Sequence, residues 1–350
     1  MKATTWIKIW ILALLVIPLV GVINYVIDPM AYNRKFQFSL NANKSRIDER
    51  IQKFNLMKEG DFECFVFGSS RNTIIDPRRM EKHSGMKSIN MAFSAATMNE
   101  IVDYINYIIV HKKPRLILLP IDLFAFSEKF QSNGTMPKEL SKDSPDQWRE
   151  YLTLEMLSHS LDTVYYSLNQ KISKEQQFYA DLGMRYYKEF LEARKSTSTH
   201  QAYVSKNVTE KKPYWHVKDF SQSRFELFRD LIQSSREKKV EVKVFTNPLT
   251  IEQLQIRESF ESQMKLLEKI VTEADVEVLD FNNLNEINRN HIHFIDRVHY
   301  NYEISNCIVD RIFTNKSSCA KDFGAVINKE NFQSYKSQIM GEIDLNSSDS

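Results

Sequence analysis

Two stretches far apart in the chain carry residues that could together form a nucleophilic catalytic site. The first is Gly68-Ser69-Ser70-Arg71, which directly follows the apolar run at 65–67. The second contains Asp296 and His299, three residues apart. At a loop-to-helix junction this spacing lets the carboxylate accept a hydrogen bond from Nδ1 of the imidazole, so that Nε2 is free to take a serine proton. The pattern favours Ser70 as nucleophile, His299 as base and Asp296 as the acid that orients it.

Structural alternatives exist for both stretches. Serine is a favoured helix N-cap, so the first stretch could serve only to begin a helix. The second stretch also contains His291 and His293, and a His-x-His pair on a strand places both imidazoles on one side, as a metal site requires. A metal site would leave the first stretch unexplained, whereas the serine hypothesis uses both. We therefore expect no metal and no cofactor.

The same two stretches resemble the first and last sequence blocks of the SGNH (GDSL-like) hydrolase superfamily. In that family a Gly-Asp-Ser follows the first strand and an Asp-x-x-His follows the last strand; here Ser69 replaces the usual Asp. The resemblance implies a serine nucleophile at Ser70, an acid at Asp296 and a base at His299. It also implies the family's fold, a three-layer α/β/α sandwich that is flavodoxin-like, with a mainly parallel sheet.

Two further blocks of the family concern the oxyanion hole, the set of donors that stabilises the tetrahedral intermediate. Residues 89–97 resemble the second block, with Ala95 in place of the usual glycine; alanine keeps the backbone N–H that the role needs. Residues 118–122 resemble the third block, but Ile121 stands where the family has an asparagine donor. The resemblance therefore implies an oxyanion hole made by the N–H groups of Ser70 and Ala95.

The layout of the whole chain is most similar to membrane-anchored SGNH-like proteins of bacterial cell-surface polymer modification, which include teichoic-acid D-alanine transfer proteins. The likeness includes the segment 24–29 after the first apolar stretch and the motif 68–71. It implies a serine esterase or O-acyltransferase that acts on acyl groups, most commonly O-acetyl, of a cell-surface polysaccharide or glycolipid. A membrane-bound O-acyltransferase is the implied partner. The alternative is a catalytically degenerate SGNH-like domain that binds glycan or that partner.

Three further polar residues are candidates for substrate binding. Arg71 follows the nucleophile and could hold a phosphate or carboxylate of the substrate, or else form a salt bridge within the protein. Asp122 follows the third predicted strand and could belong to the pocket or cap the chain. Asn247 follows the fourth. Because ligands of open α/β sheets bind outside the carboxyl ends of the strands, all three are expected near Ser70.

Alternation of strand and helix patterns predicts an α/β fold with a mainly parallel five-stranded sheet. The predicted strands are 64–67, 87–91, 115–120, 240–245 and 276–280, and the predicted helices between them are 98–111, 222–238 and 252–272. A helical insertion at about 125–220 separates the third and fourth strands, with helices near 145–169 and 174–193. The SGNH-like domain so defined covers 58–324 and is followed by a polar tail, 325–350, whose last residues we expect to be disordered.

The segment 6–27 is almost wholly apolar, and about 20 apolar residues are enough to span a bilayer as a helix. A cleaved signal peptide is the alternative, but no small-x-small cleavage site follows. Lys2 and Lys8 precede the apolar centre, so residues 1–5 are expected in the cytoplasm. The sequence therefore predicts a single-pass protein of the cytoplasmic membrane, with a stalk at 28–57 and a periplasmic or extracellular domain.

Composition excludes some classes of partner. Forty-seven basic against 45 acidic residues give a net charge of +2, so no bias toward nucleic acid exists. Three cysteines do not suit a disulfide framework, although Cys307 and Cys319 are close enough in sequence to form a bridge in an oxidising compartment.

Overall fold

The computed structural model describes residues 3–33, 36–45, 47–131, 147–169, 178–180, 182–186, 219–316 and 318–347. The chain divides into two compact units. The first combines 1–60 with 137–188, and the second combines 61–136 with 189–350. The segment predicted as an insertion is therefore shared between the units, and the part of it within 137–188 belongs with the N-terminal segment.

The second unit contains a six-stranded mixed sheet. Numbered through the whole chain, its strands are β2 (Cys64–Val66), β3 (Ser88–Asn90), β4 (Leu116–Ile121), β7 (Glu241–Thr246), β8 (Val278–Asp280) and β9 (Ala325–Ile327). Their order is β3-β2-β4-β7-β8-β9, and all neighbours are parallel except β8 and β9. The first five strands thus follow the 2-1-3-4-5 order that is typical of doubly wound α/β sheets. The α/β class and the mainly parallel sheet are confirmed.

Burial explains why these short runs become strands. All six residues of β4 are buried, as expected for a central parallel strand covered on both faces. The helix Met98–His111 ends where the sequence predicts, and its residues Ile101, Ile105 and Ile108 form a buried stripe at helical spacing. The other helices of eight or more residues in this unit are Pro77–Ser84, Gln222–Glu237, Arg257–Glu273, Tyr302–Thr314 and Phe332–Ser347.

The sheet has one strand more than predicted. This strand, β9, lies in the tail, whose polar composition gives no strand pattern. β9 pairs antiparallel with β8, with Ala325 opposite Asp280. The helix that follows buries Phe332 and Ile339, which lie on one face two turns apart. Residues 325–347 are thus an ordered part of the sheet and its cover, and only 348–350 of the predicted tail lie outside the described residues.

The first unit is built from the N-terminal segment and helices of the predicted insertion. Its helices are Ala3–Ile27, Glu49–Glu59, Gln147–Tyr151 and Leu154–Asn169, and its small sheet joins β1 (Asn43–Ser45), β5 (Phe178–Ala180) and β6 (Arg185–Tyr186). The amide of Asn24, which is fully buried, donates to the carbonyl oxygens of Tyr151 and Thr153. Asp48 caps the helix Glu49–Glu59 by accepting from two backbone N–H groups.

Two predictions for this unit differ from the structure. The predicted helix 174–193 contains the strands β5 and β6, which are rich in aromatic residues that favour strands; the rest of it lies outside the described residues. A helix does cover the predicted transmembrane segment 6–27. Within the part of the chain that the structure describes, however, no helix has the length and apolar character needed to cross a membrane.

Candidate active site

Ser70 lies in the turn that follows β2, at the point where the strand order reverses between β2 and β4. This is the edge at which doubly wound sheets bind their ligands. The turn depends on Gly68, whose φ of +119° is a conformation that other residues rarely adopt. A Cβ atom at this position would also collide with the side chains of Asn72 and Pro120. Close packing behind the turn therefore fixes the position of the serine backbone.

The structure brings Ser70, His299 and Asp296 together in the order that a catalytic triad requires. The Oγ atom of Ser70 lies 2.9 Å from Nε2 of His299, although the two residues are 229 positions apart in the chain. The Nδ1 atom of His299 lies 2.8 Å from Oδ2 of Asp296. With Nδ1 protonated toward the carboxylate, Nε2 is the acceptor for the serine hydroxyl proton.

A tight loop holds Asp296 against His299. Oδ1 of Asp296 accepts hydrogen bonds of 2.8 Å from the backbone N–H groups of Val298 and His299. The backbone N–H of Ile295 donates to the carbonyl oxygen of His299, which closes the same loop. Burial alone would raise the pKa of Asp296, but the hydrogen bond and charge of His299 together with the two backbone donors lower it below its ordinary value of 3.8. The carboxylate is therefore ionised at neutral pH and holds the imidazole in one orientation.

Ala95 has a left-handed backbone conformation that residues with a side chain adopt infrequently. Its φ is +56°, in the left-handed region, and it lies in a turn between β3 and the helix Met98–His111. Ala95 and Ser70 are both partly exposed. Among the described residues, no hydrogen-bond acceptor for either backbone N–H is found. Two N–H groups in partly exposed turns at the carboxyl edge of the sheet are available to an oxyanion.

The residue that ends β4 is apolar. Ile121 ends β4 and is 6% exposed, so its side chain belongs to the core and offers no hydrogen bond. The next residue, Asp122, is buried as well. Ile121 therefore supplies no side-chain hydrogen-bond donor at the end of β4.

A buried polar network lies directly behind the triad, and two of its members were not predicted. The side-chain amides of Asn72 and Asn247 bond to each other in both directions, at 2.6 Å and 3.1 Å. Tyr300 joins them, because its hydroxyl donates to Asn247 and accepts from Asn72. Burial raises the pKa of the Tyr300 hydroxyl far above its ordinary value, so it stays protonated. The two members that were not predicted are close chain neighbours of triad residues, Asn72 of Ser70 and Tyr300 of His299. This closeness in sequence is the one feature that could have indicated them.

The three predicted substrate-binding residues form part of this network. Arg71 and Asp122 make an ion pair, with Nη2 2.5 Å from Oδ1, and their side chains are only 5% and 3% exposed. Asn247 donates to the same Asp122 oxygen at 2.6 Å. Asp122 and Asn247 thus support one another within the protein. Arg71 combines this ion pair with a position on the wall of a cavity, described below.

The remaining histidines of the second stretch have other surroundings. Nε2 of His291 lies 2.6 Å from Oε1 of Glu252. Burial lowers the pKa of His293, so this imidazole is neutral at pH 7. In the described residues, no group of three His, Cys, Asp or Glu side chains is arranged to hold a metal ion.

Taken together, the described residues give a serine hydroxyl hydrogen-bonded to an oriented imidazole, an ionised carboxylate bonded to the other imidazole nitrogen, and the backbone N–H of the serine in a partly exposed turn. Such an arrangement is suited to transfer of an acyl group through a serine ester. No protein-family model matches the chain, and a search of curated proteins finds no relative.

Proposed function

We propose that the chain is a serine-dependent acyltransferase or esterase of the SGNH type, with the sheet lying between two helical layers as in that superfamily. The observation that carries the proposal is the pair of hydrogen bonds that links Ser70 to His299 and His299 to Asp296. A serine that serves only as a helix cap needs neither partner. Two residues 229 positions apart meet here at hydrogen-bond distance in an orientation that activates the hydroxyl.

The reaction follows from the contacts. Ser70 Oγ attacks the carbonyl carbon of an ester, and its proton passes to Nε2 of His299, while the N–H groups of Ser70 and Ala95 hold the oxyanion. Collapse of this intermediate breaks the ester bond, and the leaving alkoxide takes the proton from His299. Water or an acceptor hydroxyl then attacks the carbonyl carbon of the acyl-serine and gives its proton to His299. Collapse of this second intermediate breaks the bond to Oγ of Ser70, which takes the proton back from His299. Asp296 stabilises the imidazolium in both halves.

The apolar Ile121 limits the rate that we expect. Removing one side-chain donor from an oxyanion hole costs about two to three orders of magnitude in rate in other enzymes. A hole of two backbone donors is therefore compatible with slow turnover, as is adequate for modification of a polymer at the cell surface. The same feature favours the second candidate, a degenerate domain that binds glycan or a membrane-bound O-acyltransferase without chemistry.

We propose a location outside the cytoplasm, at a membrane, with a cell-surface polysaccharide or glycolipid as substrate or acceptor. The bond between Cys307 and Cys319 supports this, since disulfides persist in oxidising compartments. The helix Ala3–Ile27 also exposes large apolar side chains, among them Trp10 and Leu14, that a lipid phase would cover. Sedimentation of the chain with the membrane fraction at physiological salt tests the attachment, and recovery of the chain in the soluble fraction would contradict it.

The test of the chemistry is covalent labelling of the full chain with a fluorophosphonate, followed by mass spectrometry. We expect one adduct, on Ser70, that disappears in Ser70→Ala and is strongly slowed in His299→Ala. His291→Ala is the matched control, because this histidine lies in the same segment but pairs with Glu252, and it should label at the normal rate. A folded chain without an adduct would favour the binding domain.

A further inference from the structure

A small cavity lies at the carboxyl edge of the sheet, beside the triad. It is bordered by Ile121 at the end of β4, by Thr246 at the end of β7, and by the helix Arg257–Glu273. Its volume is about 50 Å³, enough for a few water molecules or one small chemical group. Two of its wall residues, Arg71 and Val298, are the chain neighbours of Ser70 and His299. The cavity is therefore next to the reacting groups without containing them.

One wall of the cavity carries a buried donor that has no partner. Gln253 is 6% exposed, and among the described residues its Nε2 atom has no hydrogen-bond acceptor. Buried amide groups are almost always paired, because an unpaired one loses its bonds to water without replacement. Gln253 lies in the short helix Ile251–Leu254, which begins four residues after the end of the buried network at Asn247. A ligand oxygen in the cavity would satisfy its N–H.

The rest of the wall defines what kind of group would fit. Arg71 borders the cavity, but its charge is balanced by Asp122 at 2.5 Å, so the cavity has no net positive charge to hold an anion. A buried carboxylate would lack a counter-ion here, which makes an anionic ligand unfavourable. Leu254 and Leu267 are almost fully buried and face the same space. Apolar side chains and an amide donor in one cavity suit a methyl group next to a neutral carbonyl.

We propose that this cavity is a substrate subsite for a small neutral acetyl or acetamido group, with the carbonyl oxygen accepting from Nε2 of Gln253 and the methyl group against Leu254 and Leu267. The inference rests on the proposed function, since it assigns the group to a part of the substrate of the Ser70 site. It narrows the substrate class to molecules that carry such a substituent, such as N-acetylated sugars.

The test is saturation-transfer NMR of the full chain with N-acetylglucosamine as probe and glucose, which lacks the acetamido group, as control. We expect the acetyl methyl signal to receive the strongest saturation, and glucose to bind at least several-fold more weakly. Gln253→Leu removes the donor and should weaken probe binding about tenfold, the loss typical of one buried hydrogen bond. Gln255→Leu is the matched control, because Gln255 does not border the cavity.

Fluorophosphonate labelling of the same samples separates this inference from the proposed function. Weakened binding of N-acetylglucosamine in the Gln253→Leu variant, with normal binding and normal labelling of Ser70 in the Gln255→Leu variant, supports the subsite. Equal binding of N-acetylglucosamine and glucose, or probe binding that is indifferent to Gln253→Leu, overturns the subsite and means that water alone fills the cavity. Binding of the probe that depends on Gln253 in a chain that does not label would support the subsite and remove the catalytic proposal.

Discussion

Replacing Gly68 by alanine should displace the turn that carries Ser70, although the new side chain contacts none of the triad residues. The new Cβ would lie 2.8 Å from Cγ of Asn72 and closer still to Oδ1 of Asn72 and Cγ of Pro120. None of these atoms is the end of a flexible chain. Asn72 is fully buried and bonded to Asn247 and Tyr300, and Pro120 is part of β4. The clash must therefore move the turn or the network.

The loss in free energy of unfolding that we expect for Gly68→Ala has two parts. A residue with a side chain in a sparsely populated backbone region costs about 1–3 kcal/mol. Extra volume in a well-packed interior costs about another 1–3 kcal/mol. Together the loss is about 2–6 kcal/mol, which is a large fraction of the total stability of about 5–15 kcal/mol that is usual for a folded domain.

A second glycine provides the control. Gly85 has φ +69°, and a Cβ atom there would have no neighbour within 4 Å. Gly85→Ala should therefore cost only the left-handed conformation, about 1–2 kcal/mol. Urea unfolding of the two variants and the parent compares the free energies of unfolding, and fluorophosphonate labelling reports on Ser70. We expect Gly68→Ala to be the less stable variant and to label more slowly, while Gly85→Ala labels normally.

Equal stability of the two variants would refute the argument that the turn at Gly68 is fixed by close packing. Normal labelling of Gly68→Ala would show that the network around Asn72 does not position Ser70.

Four other predictions concern charges and covalent bonds. Asp296→Asn should slow labelling of Ser70 by at least two orders of magnitude at pH 7, because an amide cannot stabilise the imidazolium; a normal rate would contradict the triad. Because the pKa of Asp296 is lower in the folded than in the unfolded chain, its ionised form stabilises the fold at pH values above the unfolded pKa. This stabilisation is lost as the pH falls through the folded pKa. The difference in free energy of unfolding between the parent and Asp296→Asn, measured by urea unfolding at a series of pH values, should therefore disappear at acid pH. The pKa of Asp310 is lowered, chiefly by hydrogen bonds from Arg79, whose side chain is 35% exposed. Asp310→Asn should therefore lower the free energy of unfolding at pH 7 by about 1–2 kcal/mol, measured by urea unfolding. An unchanged urea midpoint would be inconsistent with a stabilising pair of Asp310 and Arg79. Reduction of the bond between Cys307 and Cys319, which are 12 residues apart, should cost about 2–3 kcal/mol, and the urea midpoint of the double serine variant should not respond to reductant.

Periodicity predicted the central strands and the helix Met98–His111 because their burial is local and repetitive. β4 has six consecutive buried residues and Met98–His111 a regular apolar stripe, so each carries its own signal. β9 was missed because only one of its three residues, Ile327, is buried, so it has little apolar pattern of its own; the equally short edge strand β3 is buried throughout. The assignment of β9 depends on β8, a partner distant in sequence.

The residues of the candidate site likewise fall into those that a local sequence pattern indicates and those that depend on distant segments. The spacing of Asp296 and His299 is a local feature of one loop, which is why the sequence indicates it. The network of Asn72, Asn247 and Tyr300 depends on three segments that meet only in the folded sheet, and asparagines are common in loops for other reasons. The unpaired amide of Gln253 is a property of its surroundings and has no sequence signature.

The separation between Ser70 and His299 also has a consequence for the order in which the chain is made. Ser70 is synthesised 229 residues before His299, its hydrogen-bond partner, a delay of roughly 10 to 45 seconds at ordinary rates of translation. Throughout that interval the serine hydroxyl has the reactivity of any other. Under the proposed function, a nascent or truncated chain therefore has no activated serine. Ser70 becomes able to react only when the last parallel strand has been added and the segment that contains His299 has packed against the turn after the first strand.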